Sequence, residues 1–183
     1  MKEQLEQFAE VEENASLVKL NTYHIGGITK YLVRPNSIND LIEVLRILRE
    51  KEIPYFILGN GSNIILSMDK FAGVVIRLDN FASITYAGNI VTVGAGYSLI
   101  KLAIETIDRG LSGLEFAAGI PGFVGASTAM NAGAYNSDMS KVVKSVRVLN
   151  DNLEVINLTN KELSYEYRDS FLKENKSYCV LST

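Results

Sequence analysis

The sequence predicts an α/β (α+β) protein of two lobes, and three patterns carry that prediction. Residues 30–58 read as strand, helix, strand. Residues 83–93 read as a β-hairpin, and a second amphipathic helix follows. Residues 142–158 read as two strands around a turn at Asp151-Asn152. A chain of 183 residues suits one domain or two small lobes with a real core. A composition shift near Asp79–Phe81 sets a first lobe at 1–79 and a second at 80–183.

In chain order, residues 1–14 suit a short polar helix with Leu5, Phe8 and Ala9 on one side. KYLVR (30–34) reads as a strand ending at Pro35. Ser37, with Asp40 three residues on, is a helix-start signal. Ile38, Leu41, Ile42, Leu45 and Leu48 then recur at helical spacing, and the helix should stop before Pro54. YFIL (55–58) is a continuous apolar run, expected to be a strand buried on both faces. Ile64–Leu66 and Val74–Leu78 are expected to be further short strands.

In the second lobe, SITY and IVTV flank Ala87-Gly88-Asn89, a hairpin signal. Ser98 is placed to cap a helix with Leu99, Leu102, Ala103, Thr106 and Ile107 inward, and Gly110 falls at its C-terminal cap. VVKSVRVL (142–149) alternates as a half-buried strand and LEVINL (153–158) returns from the turn. Thr159 with Glu162 starts one helical turn. YCVLS near the C-terminus is a last strand.

Bulk properties exclude several functions. The formal charge is −3, and no Lys/Arg run is present, so nothing favours nucleic acid as a partner. Cys179 is the only cysteine and His24 the only histidine, so no metal site is expected. His24 itself is expected on a loop or the surface. The acidic N-terminus lacks the apolar core of a signal peptide, and no run approaches a membrane span. A cytoplasmic, reducing location is the simplest expectation. The sequence says nothing about oligomeric state.

Two uncharged, glycine-rich segments are the chemical candidates. LGNGSN (58–63) follows a strand, and Gly59 and Gly61 permit a tight loop whose amides turn outward. Successive amides of this kind form an anion nest, with a phosphate or pyrophosphate as its natural ligand. It is neither a Walker A loop nor a Rossmann fingerprint, because no Gly-Lys-Ser/Thr and no third glycine follow. A tight turn with no ligand is the competing interpretation. The second segment is AAGIPGFVGASTAMNAGAY (117–135), in which Pro121 is placed to begin a short helix with Gly122, Gly125 and Ala126 on one bare side. Such a face lets another backbone pack closely, or lets a flat ligand and its phosphates lie against helix-start amides. Together the two segments favour a large nucleotide ligand.

Four ordered motifs then carry a resemblance: NTYHIGG (21–27), LGNGSNIILSMD (58–69), GLSGLEFAAGIPGFVGASTAMNAGAY (110–135) and LSYEYRDS (163–170). On these, covering nearly everything after residue 16, the chain resembles the UDP-N-acetylenolpyruvoylglucosamine reductase family. That family, also called UDP-N-acetylmuramate dehydrogenase, serves bacterial peptidoglycan synthesis. The resemblance implies a two-lobed FAD-binding unit of the vanillyl-alcohol-oxidase/PCMH type. It implies that Gly59, Asn60, Gly61, Ser62 and Asn63 cradle the FAD pyrophosphate. It implies that Gly119, Ile120, Pro121, Val124 and Gly125 line the flavin and its phosphates. Asn21 and Thr22 match the family's first motif, whose role stays open.

The resemblance also implies the chemistry: NADPH reduces FAD, and hydride passes to the enolpyruvyl group of a UDP-sugar. Arg168 matches the catalytic arginine, which stabilises charge developing on the neighbouring carboxylate. Asn131, Tyr135 and Tyr167 are the candidates on the substrate side. An ion pair of Arg168 with Glu166 or Asp169 is the competing interpretation of that residue. The family usually has a small residue where Phe123 stands, glycine where Ala126 stands and a Gly-Gly-acidic run where Asn136-Ser137-Asp138 stands. The family continues into a substrate-binding domain with a catalytic serine and a glutamate, and neither has a counterpart here. The expectation is therefore a chain that binds FAD without full turnover. A noncatalytic flavin- or nucleotide-binding module is the alternative. A different flavin oxidase is a third possibility, disfavoured by NAGAY and YRDS.

Overall fold

A computed structural model describes all residues, Met1–Thr183. The chain separates into two compact units, Met1–Asn80 and Phe81–Thr183. The mixed α/β class expected from the sequence is what the structure contains.

The first unit holds α1 (Lys2–Leu5), β1 (Ala9–Ser16), β2 (Ile28–Pro35), α2 (Ile38–Glu50), β3 (Tyr55–Ile57) and β4 (Lys70–Ile76). Its sheet runs β1-β2-β4-β3. β1 is antiparallel to β2, while β2 and β3 both run parallel to β4. The N-terminal helix is therefore one turn only. AEVEENAS forms an edge strand because pairing with β2 satisfies its backbone, while its glutamates face solvent and Ala9 and Ala15 face in.

Ser37 caps α2, its hydroxyl oxygen accepting from the Asp40 amide at 3.1 Å. Leu41, Val44, Leu45 and Leu48 form the buried face of that helix. β4 is an inner strand, like β2, with Val74, Val75 and Ile76 all fully buried. β3 is not buried on both faces as expected: it lies at the sheet edge and is half-buried throughout. Ile64–Leu66 is not a strand either. It pairs with no strand of the sheet; Leu66 is buried in the cluster of Ala15, Leu17, Leu32, Leu58 and Val75, whereas Ile65 is 65% exposed.

The second unit begins with the hairpin β5 (Ile84–Ala87) and β6 (Ile90–Val93). Its two-residue turn holds Gly88 at φ 59, as the Gly-Asn pair predicts. α3 (Leu99–Asp108) is capped by Ser98 and closed by Gly110 at φ 71. Leu99, Leu102, Ala103 and Thr106 are its buried face; Ile107 falls at the rim of that arc and is 45% exposed, not inward. α4 (Val124–Ala129) starts three residues later than Pro121 would place it. The Val124 and Gly125 amides donate to the Tyr97 and Ala95 carbonyls at 2.8 and 2.9 Å, which fixes where the helix begins.

A short hairpin follows, β7 (Gly133–Ala134) and β8 (Ser137–Asp138), with Tyr135 and Asn136 at φ 52 and 60 in the turn. β9 (Ser145–Leu149), β10 (Val155–Thr159) and β11 (Cys179–Ser182) form an antiparallel sheet in the order β10-β9-β11. Thr159 and Glu162 exchange backbone-to-side-chain bonds, and the Leu163 amide closes one turn onto the Thr159 carbonyl. α5 (Phe171–Glu174) is capped by Ser170. No helix is long and apolar enough to cross a membrane.

Candidate functional site

In the first unit the site is the loop after β3. Gly61 sits at φ 69, and a Cβ there would overlap the Leu20 carbonyl oxygen. The Gly61 carbonyl accepts from the Thr22 amide at 3.1 Å. The loop is thus seated on the NTYHIGG segment. Asn21 in turn folds that segment: its side-chain nitrogen donates to the Leu17 and Ile25 carbonyls, both at 2.8 Å. This gives the motif's first residues a role, to support the loop from below. The amides of Gly59, Asn60, Gly61 and Asn63 donate to no carbonyl of the protein. Ser62 is half-buried and Asn63 exposed. His24 is exposed, at φ 54.

In the second unit the segment 117–125 divides in two. Val124 is fully buried, and a Cβ on Gly125 would lie 2.6 Å from the Ala95 Cβ. Their amides are bonded within the protein, so close packing accounts for the small residue at Gly125. Of the two interpretations of this helix start, close backbone packing is the one that these two amides and Gly125 meet. Gly119 is different. Nothing lies within 4 Å of a Cβ built there, and its φ is outside the left-handed region. Folding does not require glycine at that position. Gly119 and Pro121 are exposed and Ile120 is half-buried. Phe123 is half-buried and Ala126 exposed.

Arg168 stands at the tip of a tight turn closed by reciprocal amide-to-carbonyl bonds of Glu166 and Asp169, at 3.1 and 3.2 Å. It sits at φ 55. Its guanidinium donates to the carbonyls of Asn131 (3.3 Å) and Gly133. The guanidinium carbon lies 4.9 Å from the ring centre of Tyr167. The competing interpretation, an ion pair of Arg168 with Glu166 or Asp169, does not form; Asp169 pairs with Lys173, at 3.5 Å. Arg168 therefore offers a half-buried cation with no carboxylate partner.

Asn131 is 2% exposed and its polar atoms are spent inside the protein. Nδ2 donates to the Glu166 carbonyl at 2.7 Å, and Oδ1 accepts from the Ser140 amide at 3.0 Å. Tyr135 and Tyr167 are the reverse, 91% and 84% exposed. A bulky residue in the left-handed region at the tip of a hairpin, as Tyr135 is, is strained and is held there by the flanking pairs.

Sequence reasoning missed three supports. The Gly133 carbonyl holds the guanidinium, and Lys173 Nζ donates to the Arg168 carbonyl at 2.9 Å. Ser170 Oγ donates to the Ala129 carbonyl at 2.6 Å, tying the turn to the end of α4. Only Ser170 carried a signal, as a helix cap before FLKE. Tyr165 is largely buried, its hydroxyl has no partner, and burial raises its pKa, with Asp138 adding to the shift.

The FAD binding domain family matches residues 29–159. The chain belongs to this family. A curated relative from Anoxybacillus flavithermus, named UDP-N-acetylenolpyruvoylglucosamine reductase, is 42% identical over 175 residues, 94% of this chain and 58% of the relative. One of the same name from Halalkalibacterium halodurans is 41% identical, covering 95% and 58%. The crystal structure of this reductase from Thermus caldophilus superposes with a TM-score of 0.80 at 34% identity, over 96% of this chain and 61% of that one. The resemblance stated from the four motifs is thus borne out by homologues of that name. BBE-like 1 from Physcomitrella patens superposes at 0.68 with 16% identity, covering 99% and 42%, and shares the fold. The FAD binding domain fold is therefore the fold class expected. The chain spans about 58% of the length of these curated relatives.

Proposed function

We propose that this chain is the FAD-binding portion of an NADPH-dependent UDP-N-acetylenolpyruvoylglucosamine reductase of peptidoglycan synthesis. The residues fit a dinucleotide on two grounds. Four loop amides at 59–63 have no acceptor in the protein, and Gly119 has open space where a side chain would stand. Gly59, Asn60, Gly61, Ser62 and Asn63 would hold the pyrophosphate through those amides and the Ser62 and Asn63 side chains. Gly119, Ile120 and Pro121 would lie along the flavin, with Val124 and Gly125 fixing that backbone by their packing on Ala95 and Tyr97. FAD, when bound, supplies hydride transfer from NADPH to the enolpyruvyl carbon.

The guanidinium of Arg168 carries the catalytic part of the proposal. It is fixed on two carbonyls and has no carboxylate to neutralise it. It is free to grip the substrate carboxylate and to stabilise the enolate charge that develops there. Tyr167 stacks on the guanidinium and would shield it from water, and Tyr135 stands exposed on the neighbouring hairpin. Asn131 acts through Arg168, by holding the turn that presents it. Cytoplasmic action is part of this proposal.

A second form of the proposal is a module that binds flavin and nucleotide without turnover. One experiment separates them. FAD-loaded chain is mixed with NADPH and UDP-N-acetylenolpyruvoylglucosamine. Flavin bleaching followed by reoxidation on substrate, lost in Arg168→Ala, supports the reductase. A substrate-induced spectral shift without reoxidation supports the module. No response to substrate in either protein contradicts both assignments of Arg168.

A further inference from the structure

In the second unit the half-buried carboxylate of Glu105, on α3, joins two tyrosines. Its Oε2 accepts from the Tyr97 hydroxyl at 2.8 Å and from the Tyr86 hydroxyl, on β5, at 3.3 Å. Its Oε1 lies 3.6 Å from Lys101 Nζ, but the Lys101 side chain is mostly exposed, so that pair adds little. The bond from Tyr97 is the foremost cause that holds the Glu105 carboxyl below its ordinary range. The acceptor is therefore charged at neutral pH. The Arg109 guanidinium carbon lies 3.9 Å from the ring centre of Tyr86 and steadies the second phenol.

Tyr97 is 6% exposed and stands just before Ser98, the cap of α3. Its hydroxyl reaches along the helix to a residue about two turns on. Its backbone, by contrast, meets the segment 122–125. The Tyr97 carbonyl accepts from the Val124 amide at 2.8 Å, and the Leu99 amide donates to the Gly122 carbonyl at 2.9 Å. Between these two bonds Ser98 bridges to Phe123. On the other side the Ile120 amide donates to the Ala117 carbonyl at 3.1 Å. The stretch 119–121 is thus slung between Ala117 and a backbone hook at residues 97–99.

We propose that Glu105 is a positioning residue for the flavin: acting through Tyr97, it fixes the hook from which the stretch 119–121 hangs. This rests on the assignment of Gly119, Ile120 and Pro121 to the flavin surface. Without the carboxylate, the Tyr97 hydroxyl loses an acceptor at a buried position, and the ring moves to recover one. The bonds to Gly122 and Val124 lie within two residues of that ring and move with it. A binding surface needs its backbone held by contacts that lie outside it, and the Glu105 carboxylate is such a contact.

The test is FAD affinity of the full chain, titrated by flavin fluorescence well below the unfolding midpoint. Glu105→Ala and Tyr97→Phe should each raise the FAD dissociation constant about tenfold, the scale of one lost charge-assisted hydrogen bond. The double variant should bind as weakly as either single one, because both break the same link. Glu105→Gln, whose amide oxygen still accepts from the phenol, should bind within about twofold of the parent. Leu158→Ala, a core truncation in β10, controls for general loss of stability: its midpoint should fall while its FAD affinity stays at the parent's. Parent-like affinity in Glu105→Ala would overturn the proposal. So would additive effects of Glu105→Ala and Tyr97→Phe, or equal weakening by Leu158→Ala. A parent that binds no FAD would remove the flavin surface itself, whereas a parent that binds FAD beside an unaffected Glu105→Ala removes only the role of Glu105.

Discussion

Asn131 and Arg168 both occupy the left-handed region, at φ 44 and 55, and the guanidinium of one donates to the carbonyl of the other. The Asn131 side chain, in turn, donates to the carbonyl of Glu166, two residues before Arg168. The turn that presents Arg168 is therefore held at two points by one buried asparagine. Asn131→Ala removes one of the two donors to the Glu166 carbonyl and one of the two acceptors of the Ser140 amide. It should cost about 1–3 kcal/mol, read from the urea unfolding midpoint. A cost near zero would mean that the turn is held elsewhere.

Gly119 separates a ligand requirement from a folding requirement. A side chain there meets nothing within 4 Å. Gly119→Val should shift stability by less than about 0.5 kcal/mol, as exposed substitutions usually do. FAD retention after desalting should nevertheless fall sharply. A variant that keeps its flavin would remove Gly119 from the ligand surface.

Gly125 makes the opposite prediction. Its hypothetical Cβ lies 2.6 Å from the Ala95 Cβ. Gly125→Ala should destabilise by about 1–3 kcal/mol through overpacking. Adding Ala95→Gly should recover much of that loss, and a double-mutant cycle on thermal unfolding measures the coupling. Additive effects would show that the contact does not set the stability.

Cys179 is fully buried in β11, and burial pushes its thiol from the ordinary 9 up to about 12. The folded pKa lies above the unfolded one. The stability contribution is thus fully present below pH 9 and is lost as pH rises from there toward 12. Tyr165 and Tyr97, whose pKa values are raised chiefly by burial, act in the same direction. Folded chain should resist thiol reagents at about pH 8, where unfolded chain reacts with one equivalent. Cys179→Ala should flatten the alkaline loss of stability.

What the sequence made legible was local. Ser37 and Ser98 capped their helices, and Gly88 and Gly110 turned where left-handed backbone was needed, because each signal lies within a few residues. What it hid was set by distant partners. The glutamate-rich β1 is a strand only because β2 offers it an edge, and β3 is half-buried only because it took the other edge. At the site, the chemistry-bearing residues were readable from motifs. Their supports were not, since backbone carbonyls such as those of Asn131 and Gly133 carry no sequence signature. The small residues of 117–125 looked uniform, yet Gly125 answers to Ala95 and Gly119 to nothing in the protein.

The most direct test is the absorption spectrum of the purified chain, incubated with FAD and then desalted. The account predicts retained flavin bands, near one equivalent per chain, and weaker retention in Gly119→Val at unchanged unfolding midpoint. A chain shown to be folded that releases all its flavin to the desalting column would contradict it.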